Sequence, residues 1–234
     1  MQIELDITYR CNLNCVNCNR VCGLAPRDDM MSLSQVERFR EESLTAGVRW
    51  DQVAVLGGEP TLHPDVRPIL GTVLGLAKRV LFVTNGLTGV RSPEDLGFPA
   101  DAFKLKNTAK KNRVHRFAVM TDAVVDFHPD IPDSQYAAGC EIPRVCGLGL
   151  NASGYYPCPI AGTVDRVFDM GLAVGSLREL LNADPSPVFA ACCRYCGHFW
   201  DTLGRPWDTH EQPTVSVSWA DALRRFNDLK DSIQ

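Results

Sequence analysis

The sequence of 234 residues predicts an α/β fold, a truncated partial (β/α) TIM-like barrel of about five strands followed by a small β-hairpin and helix region. Three observations lead there. Apolar runs at residues 3–8, 51–58 and 79–86 each end in polar or glycine-containing turns. The stretches between them carry helical periodicity, and strands alternating with helices imply a parallel sheet. A six-unit barrel at about thirty residues per unit needs roughly 180 residues, yet a cysteine-rich second half begins near Cys140. The expected division is therefore 1–139 for the barrel, 140–215 for the cysteine-rich region and 216–234 for a docking helix.

Taken in order, residues 3–8 (IELDIT) alternate apolar and polar side chains as a strand does. Residues 32–47 begin with Ser32 as a cap, place Val36, Phe39 and Leu44 near one helical face and stop at Gly47. The run at 51–58 is the second strand. Residues 63–78 form the second helix, started by Pro64 and weakened by Gly71 and Gly75. The third strand, 79–86, closes on Thr84-Asn85-Gly86. Residues 92–98 make at most a helical turn, and 102–106 together with 115–120 or 124–128 read as two further short strands. Asn151-Ala152-Ser153-Gly154 between apolar flanks reads as a tight hairpin with Gly154 at the positive-φ position. Residues 218–233 space Trp219, Leu223, Phe226, Leu229 and Ile233 as a helix that covers the core.

The formal charge of −4 argues against a general nucleic-acid binder, because such domains carry a basic excess. The Lys- and Arg-rich stretch at 104–116 reads as a solvated face, with a phosphate or carboxylate site as the alternative. No run reaches the eighteen or more apolar residues of a membrane span, and Met1 leads into a strand without a signal-peptide pattern. The expectations are a cytoplasmic protein, no membrane and no nucleic acid. In that setting ten cysteines point to metal or redox sites rather than disulfides.

Cys11, Cys15 and Cys18 form Cys-x3-Cys-x2-Cys. Three thiolates can hold a four-iron cluster and leave one iron open, and an open position lets a metal site bind a reactant. Zinc is the alternative, with Cys22 the next available ligand. About forty residues on comes Gly57-Gly58-Glu59-Pro60. Glycines allow close backbone approach, the Glu59 carboxylate can accept from an ammonium, and Pro60 ends the strand.

These two motifs resemble the radical S-adenosylmethionine (radical SAM) superfamily. The resemblance implies a [4Fe-4S] cluster on Cys11, Cys15 and Cys18, with the SAM methionine end at Gly57, Gly58, Glu59 and Pro60. It also implies Thr84 and Asn85 near the SAM ribose or the substrate, unless Asn85-Gly86 merely makes a turn. The family usually has an aromatic residue before the third cysteine to seat the adenine, whereas this chain has Asn17.

Counting back from the hairpin turn sets Cys158 opposite Gly147, so that Cys146 and Cys158 meet at its open end, and Cys193-x2-Cys196 follows. This arrangement is similar to the twitch or shortened SPASM extension, which implies a second, auxiliary [4Fe-4S] cluster. The reading adopted is Cys146, Cys158, Cys193 and Cys196. Cys140 is the alternative opening ligand, and a structural zinc is the alternative metal. Cys140, if spare, is the candidate hydrogen donor.

The implied activity is reductive cleavage of SAM to a 5'-deoxyadenosyl radical and hydrogen abstraction from a small polar, sugar- or aminocyclitol-like substrate, ending in epimerisation or dehydrogenation. A flavodoxin or ferredoxin is the expected reductant. Asp122, Asp126, His128, Asp165 and Arg166 are candidate substrate contacts, with His63, His198 and His210 weaker ones. A peptide substrate, or a non-catalytic iron–sulfur or zinc protein, are the competing readings.

Overall fold

The computed structural model describes residues 1–15, 17–26, 29–109, 119–204 and 215–231. Strand β1, Gln2–Thr8, leads through the cysteine loop to helix α1, Leu33–Thr45, which Ser32 caps by accepting from the Gln35 amide. Strand β2, Trp50–Gly57, runs into a 3₁₀ turn at Pro60–Leu62 and helix α2, Val66–Val73. Strand β3, Ala77–Thr84, a 3₁₀ turn at Pro93–Leu96 and strand β4, Lys104–Asn107, follow. Short helices α3, Val124–Phe127, α4, Asp133–Ala137, and α5, Ile142–Cys146, precede strands β5, Leu148–Asn151, and β6, Gly154–Tyr156. Helices α6, Pro159–Phe168, α7, Leu177–Asn182, and α8, Ser186–Cys193, a 3₁₀ segment at Gly197–Leu203 and helix α9, Val217–Asp231, complete the described chain.

The six strands form one open sheet in the order β4-β3-β2-β1-β5-β6. The first five run parallel, and β6 is antiparallel to β5. The hairpin therefore continues the sheet from the free edge of β1, with Ile3, Glu4 and Leu5 paired to Leu148, Gly149 and Leu150. Gly147 permits this, because a Cβ there would meet the Gln2 carbonyl oxygen at 2.0 Å.

Alternation along β1 splits its side chains between two environments, as period 2 requires. Ile3, Leu5 and Ile7 join Val53, Val55, Val80 and Phe82 beneath α1 and α2, where Phe39, Ile69 and Leu70 complete the main core. Glu4, Asp6 and Thr8 take the opposite face. A second apolar cluster packs α6 against α9 through Val164, Trp219, Ala222 and Phe226, reaching Val21 and Ala25 of the cysteine loop.

Three sequence expectations change. Residues 124–128 are not a strand: Val124 is buried in an apolar cluster with Tyr136 and Trp200, and the Val125 amide bonds the Arg194 carbonyl rather than a strand edge. The second helix stops at Val73, because Leu74 is extended and Gly75, at φ 83°, turns the chain into β3 two residues before the expected start. Leu44 is 58% exposed, since Ser43 and not Leu44 meets the core. The expected strand at 115–120 lies outside the described residues up to 118, as do His210 and the basic stretch beyond 109.

Candidate active site

The cysteine loop leaves β1 at Thr8, whose hydroxyl accepts from the Arg10 amide. It is pinned from below by β2. The Gly58 amide donates to the Thr8 carbonyl at 2.7 Å and the Glu59 amide to the Arg10 carbonyl at 2.8 Å. A Cβ on Gly57 would meet the Thr8 oxygen, and one on Gly58 the Arg10 oxygen, each at 2.3 Å. These two glycines thus admit the cysteine loop's own backbone at the end of β2, the kind of close approach that only glycine allows.

Glu59 is fully buried and its carboxylate is well occupied. Oε1 accepts from the Thr61 amide (3.1 Å), the Thr61 hydroxyl (2.5 Å) and the Thr84 hydroxyl (2.7 Å), while Oε2 accepts from the Asn85 amide at 2.7 Å. Asn85 in turn donates from Nδ2 to Asn12 in the cysteine loop at 2.7 Å, and its Oδ1 accepts from the Leu87 amide. Glu59, Thr84 and Asn85 therefore lace the ends of β2 and β3 to the loop between Cys11 and Cys15.

Cys11, Cys15 and Cys18 line one cavity together with Asn19, Arg20, Gly57, Gly58, Thr84 and Asn85. The cavity lies at the carboxyl ends of β1, β2 and β3, the end at which βα barrels gather their chemistry. A second cavity shares Cys15 and Cys18 and is lined also by Asn17, Val21, Leu24, Met120 and Thr121. Cys22 is buried and its thiol is hydrogen-bonded to Cys18. Burial raises the Cys11 thiol above its ordinary range, and its neighbours Cys18 and Cys15 push the same way; a bound cation reverses such a preference, since coordination deprotonates a thiol.

On the face of the sheet opposite the main core, Arg20 donates to Asp6 through Nε at 3.0 Å and to Glu4 through a terminal nitrogen at 2.5 Å. Burial outweighs the attraction of Arg20 and pushes the Asp6 carboxyl up to about 6. Arg166 stacks 4.0 Å over the Tyr9 ring and donates to the carbonyls of Ala25 and Arg20. It joins α6 to the cysteine loop.

A third cavity is ringed by Cys140, Cys158, Cys192, Cys193 and Cys196, with Ile142, Ile160, Val164 and Phe189 as apolar wall. Cys146 does not line it. Burial and the adjacent Glu4 carboxylate, which accepts from its thiol, push Cys146 up to about 12. The hairpin pairing runs only from Asn151–Gly154 to Gly149–Tyr156, short of Gly147 and Cys158, while residues 142–146 coil into α5 and carry Cys146 toward Glu4 on β1. Burial also holds the Cys158 thiol up at about 12. Cys192 points at the Ala161 carbonyl, 3.8 Å away. Among the described residues no three His, Cys, Asp or Glu side chains converge as ligands of a single ion do.

The remaining candidates have structural work. His63 bonds the Met31 carbonyl through Nε2 and the Asp65 amide through Nδ1. Asp126 accepts from the Ser218 amide and hydroxyl at the start of α9. Asp165 accepts from the Tyr156 hydroxyl at 2.6 Å and the Leu172 amide, and His128 lies edge-on to Trp200. His198 is buried, and that burial, aided by Arg20, lowers its pKa to about 4. The Glu4, Asp6 and Arg20 cluster was missed from sequence. The available signal was an Asp and a Glu at alternate positions of an otherwise apolar strand.

No family model matches the chain. It is 34% identical over 91 residues to the mitochondrial GTP 3',8-cyclase of Arabidopsis thaliana, covering 37% of this chain and 23% of that protein. It is 36% identical over 89 residues to the GTP 3',8-cyclase of Lactiplantibacillus plantarum, covering 36% and 26%. The chain thus matches about a quarter of the length of these curated relatives. In structure it is similar to BtrN in complex with AdoMet and 2-DOIA, with a TM-score of 0.52, 13% identity, and coverage of 92% of this chain and 97% of that one. That likeness is one of fold.

Proposed function

We propose, from the membership of the radical SAM superfamily that these likenesses support, that this chain is a radical SAM enzyme with two iron–sulfur clusters. The observation that carries the proposal is the cavity lined jointly by Cys11, Cys15 and Cys18 and by Gly57, Gly58, Thr84 and Asn85. Cys11, Cys15 and Cys18 would hold a [4Fe-4S] cluster with one open iron. When bound, such a cluster supplies the electron that cleaves SAM to methionine and a 5'-deoxyadenosyl radical, which takes hydrogen from the substrate.

Gly57, Gly58, Thr84 and Asn85 would seat the methionine and ribose end of SAM. Glu59 and Pro60 stay in this proposal as the frame of that seat. With four donors already on its carboxylate, Glu59 acts on SAM mainly by fixing Thr84 and Asn85.

For the auxiliary cluster, Cys158, Cys193 and Cys196 share their cavity with Cys140, and Cys140 is the better fourth ligand than Cys146. Thiolates around a common void suit a cluster, whose cysteines sit on different irons, better than a single zinc. This exchanges the two cysteines' roles. Cys146, with its thiol on Glu4, becomes the spare thiol and the candidate hydrogen donor in place of Cys140.

The substrate class we propose is a small polar, sugar- or aminocyclitol-like molecule. An electron acceptor held by Cys140, Cys158, Cys193 and Cys196 favours dehydrogenation, while hydrogen return from a thiol would give epimerisation. A flavodoxin or ferredoxin is the proposed reductant in a cytoplasmic setting. No helix among the described residues is long and apolar enough to cross a membrane.

Anaerobic reconstitution followed by iron and sulfide analysis tests the two clusters, with about eight irons expected. Cys140→Ala should reduce this to about four and Cys146→Ala should leave it unchanged; the reverse pattern would restore Cys146 as the ligand. Absence of 5'-deoxyadenosine after incubation with SAM and dithionite would reject the enzyme reading.

A further inference from the structure

Cys22 is buried, 4% exposed, and belongs to neither set of proposed cluster ligands. Its thiol meets that of Cys18 in a hydrogen bond. The chain is bent to bring the two together: the Val21 amide donates to the Cys18 carbonyl at 2.8 Å, and Val21 itself sits at φ 45°. A β-branched residue in the left-handed region is an outlier, and such a conformation persists only where its surroundings hold it. They do so on both sides. Arg20 is tied to Asp6 and Glu4, the Ala25 amide donates to the Val21 carbonyl at 2.8 Å, and Arg166 donates to the carbonyls of Arg20 and Ala25. Cys22 is therefore held in place against Cys18.

In the metal-free chain either thiol can be the donor. A Cys18 that ligates iron is a thiolate and can only accept, so the proton of this bond then has to come from Cys22. A donor on a ligand sulfur stabilises the more negative state of a cluster, and hydrogen bonds to the sulfurs are among the factors that set its potential. Burial keeps water from competing for the bond.

We infer that the Cys22 thiol donates to Cys18 Sγ when Cys18 ligates the cluster, and thereby makes one-electron reduction of that cluster easier. This rests on the radical SAM reading above. Cys22 is a positioning residue in this scheme, acting through Cys18. As a fourth ligand it would instead close the iron that SAM needs.

The test is a redox titration, monitored by electron paramagnetic resonance, of the anaerobically reconstituted full chain without SAM. The relevant cluster is the one whose reduced signal changes when SAM is added. Cys22→Ala should make its reduction about threefold to tenfold less favourable, a potential lower by about 30–60 mV for one electron, at unchanged iron content. Cys22→Ser, which keeps a donor of nearly the same shape, should recover most of that loss. Cys22→Val serves as the apolar variant should Cys22→Ala fail to fold. Equal potentials in the wild type and the apolar variant overturn the inference, as does a loss in Cys22→Ser as large as in the apolar variant. Tighter SAM binding by the apolar variant would show Cys22 competing for the open iron, and would overturn it too. If no cluster of the wild type responds to SAM, the radical SAM reading itself fails.

Discussion

Replacing Glu59 by Gln tests whether this buried carboxylate holds the candidate site together. Its two oxygens accept four hydrogen bonds, two from the backbone amides of Thr61 and Asn85 and two from hydroxyls. Gln offers a carbonyl on one side only. With its oxygen toward Thr61, the new NH₂ faces the Asn85 amide, which approaches Oε2 at 2.7 Å. Turned over, the NH₂ faces the Thr61 amide. Either way one buried backbone N–H loses its acceptor, at about 1–3 kcal/mol. The bonds that survive lose their charge assistance, roughly another 1–2 kcal/mol. The sum is about 2–5 kcal/mol, because the hydroxyls of Thr61 and Thr84 can rotate to accept and no third donor is orphaned. In urea titration of the anaerobically reconstituted proteins, followed by circular dichroism, the Glu59→Gln midpoint should lie below that of the wild type by about 1–2.5 M at a slope of about 2 kcal/mol/M. A midpoint shift below about 0.25 M, which is about 0.5 kcal/mol at that slope, would show that the carboxylate is not the hub its contacts describe.

The other expectations follow from burial and charge. Asp6 has its folded pKa raised to about 6 from 3.8. The folded state therefore binds this proton more tightly than the unfolded chain, and stability falls as pH rises from about 4 to about 6, by up to about 3 kcal/mol. In urea titrations of the metal-free chain across that window, Asp6→Asn should remove this step; a wild-type-minus-variant difference independent of pH would refute it. Phe39 is fully buried between Trp50, at 5.8 Å, and Tyr155, at 6.5 Å. Phe39→Ala should cost about 3–5 kcal/mol, while Leu44→Ala on the same helix, 58% exposed, should cost less than about 0.5 kcal/mol. Ser32→Ala should cost about 1 kcal/mol through the lost cap on Gln35.

The parts legible in the sequence are those governed by local pattern. Alternation in residues 3–8 and the apolar runs of β2 and β3 marked strands because a half-buried or buried strand leaves a period-2 or continuous apolar trace. Ser32 and Gly47 bracketed α1 because orphan amides and a positive φ, here 63°, select those residues. Residues 124–128 misled because two valines in a row carry β-propensity, which gives way to packing: Val124 is buried in an apolar cluster with Tyr136, Phe199 and Trp200. Leu44 misled because position on a helical face depends on what lies opposite it.

Sequence alone supplied the motifs on which the proposed chemistry rests: the spacing of Cys11, Cys15 and Cys18, the Gly57-Gly58-Glu59-Pro60 turn and the later cysteine groups are local arrangements readable in one dimension. The tertiary structure decided who meets whom. It joined β5 to the free edge of β1, turned Cys146 toward Glu4 and left Cys140 in the cavity with Cys158, Cys193 and Cys196. It also closed Glu59 among four donors and brought the Cys22 thiol onto Cys18. The reason is physical: spacing fixes how far two side chains can be apart, while burial, register and competing hydrogen bonds fix which of the pairs within reach actually form.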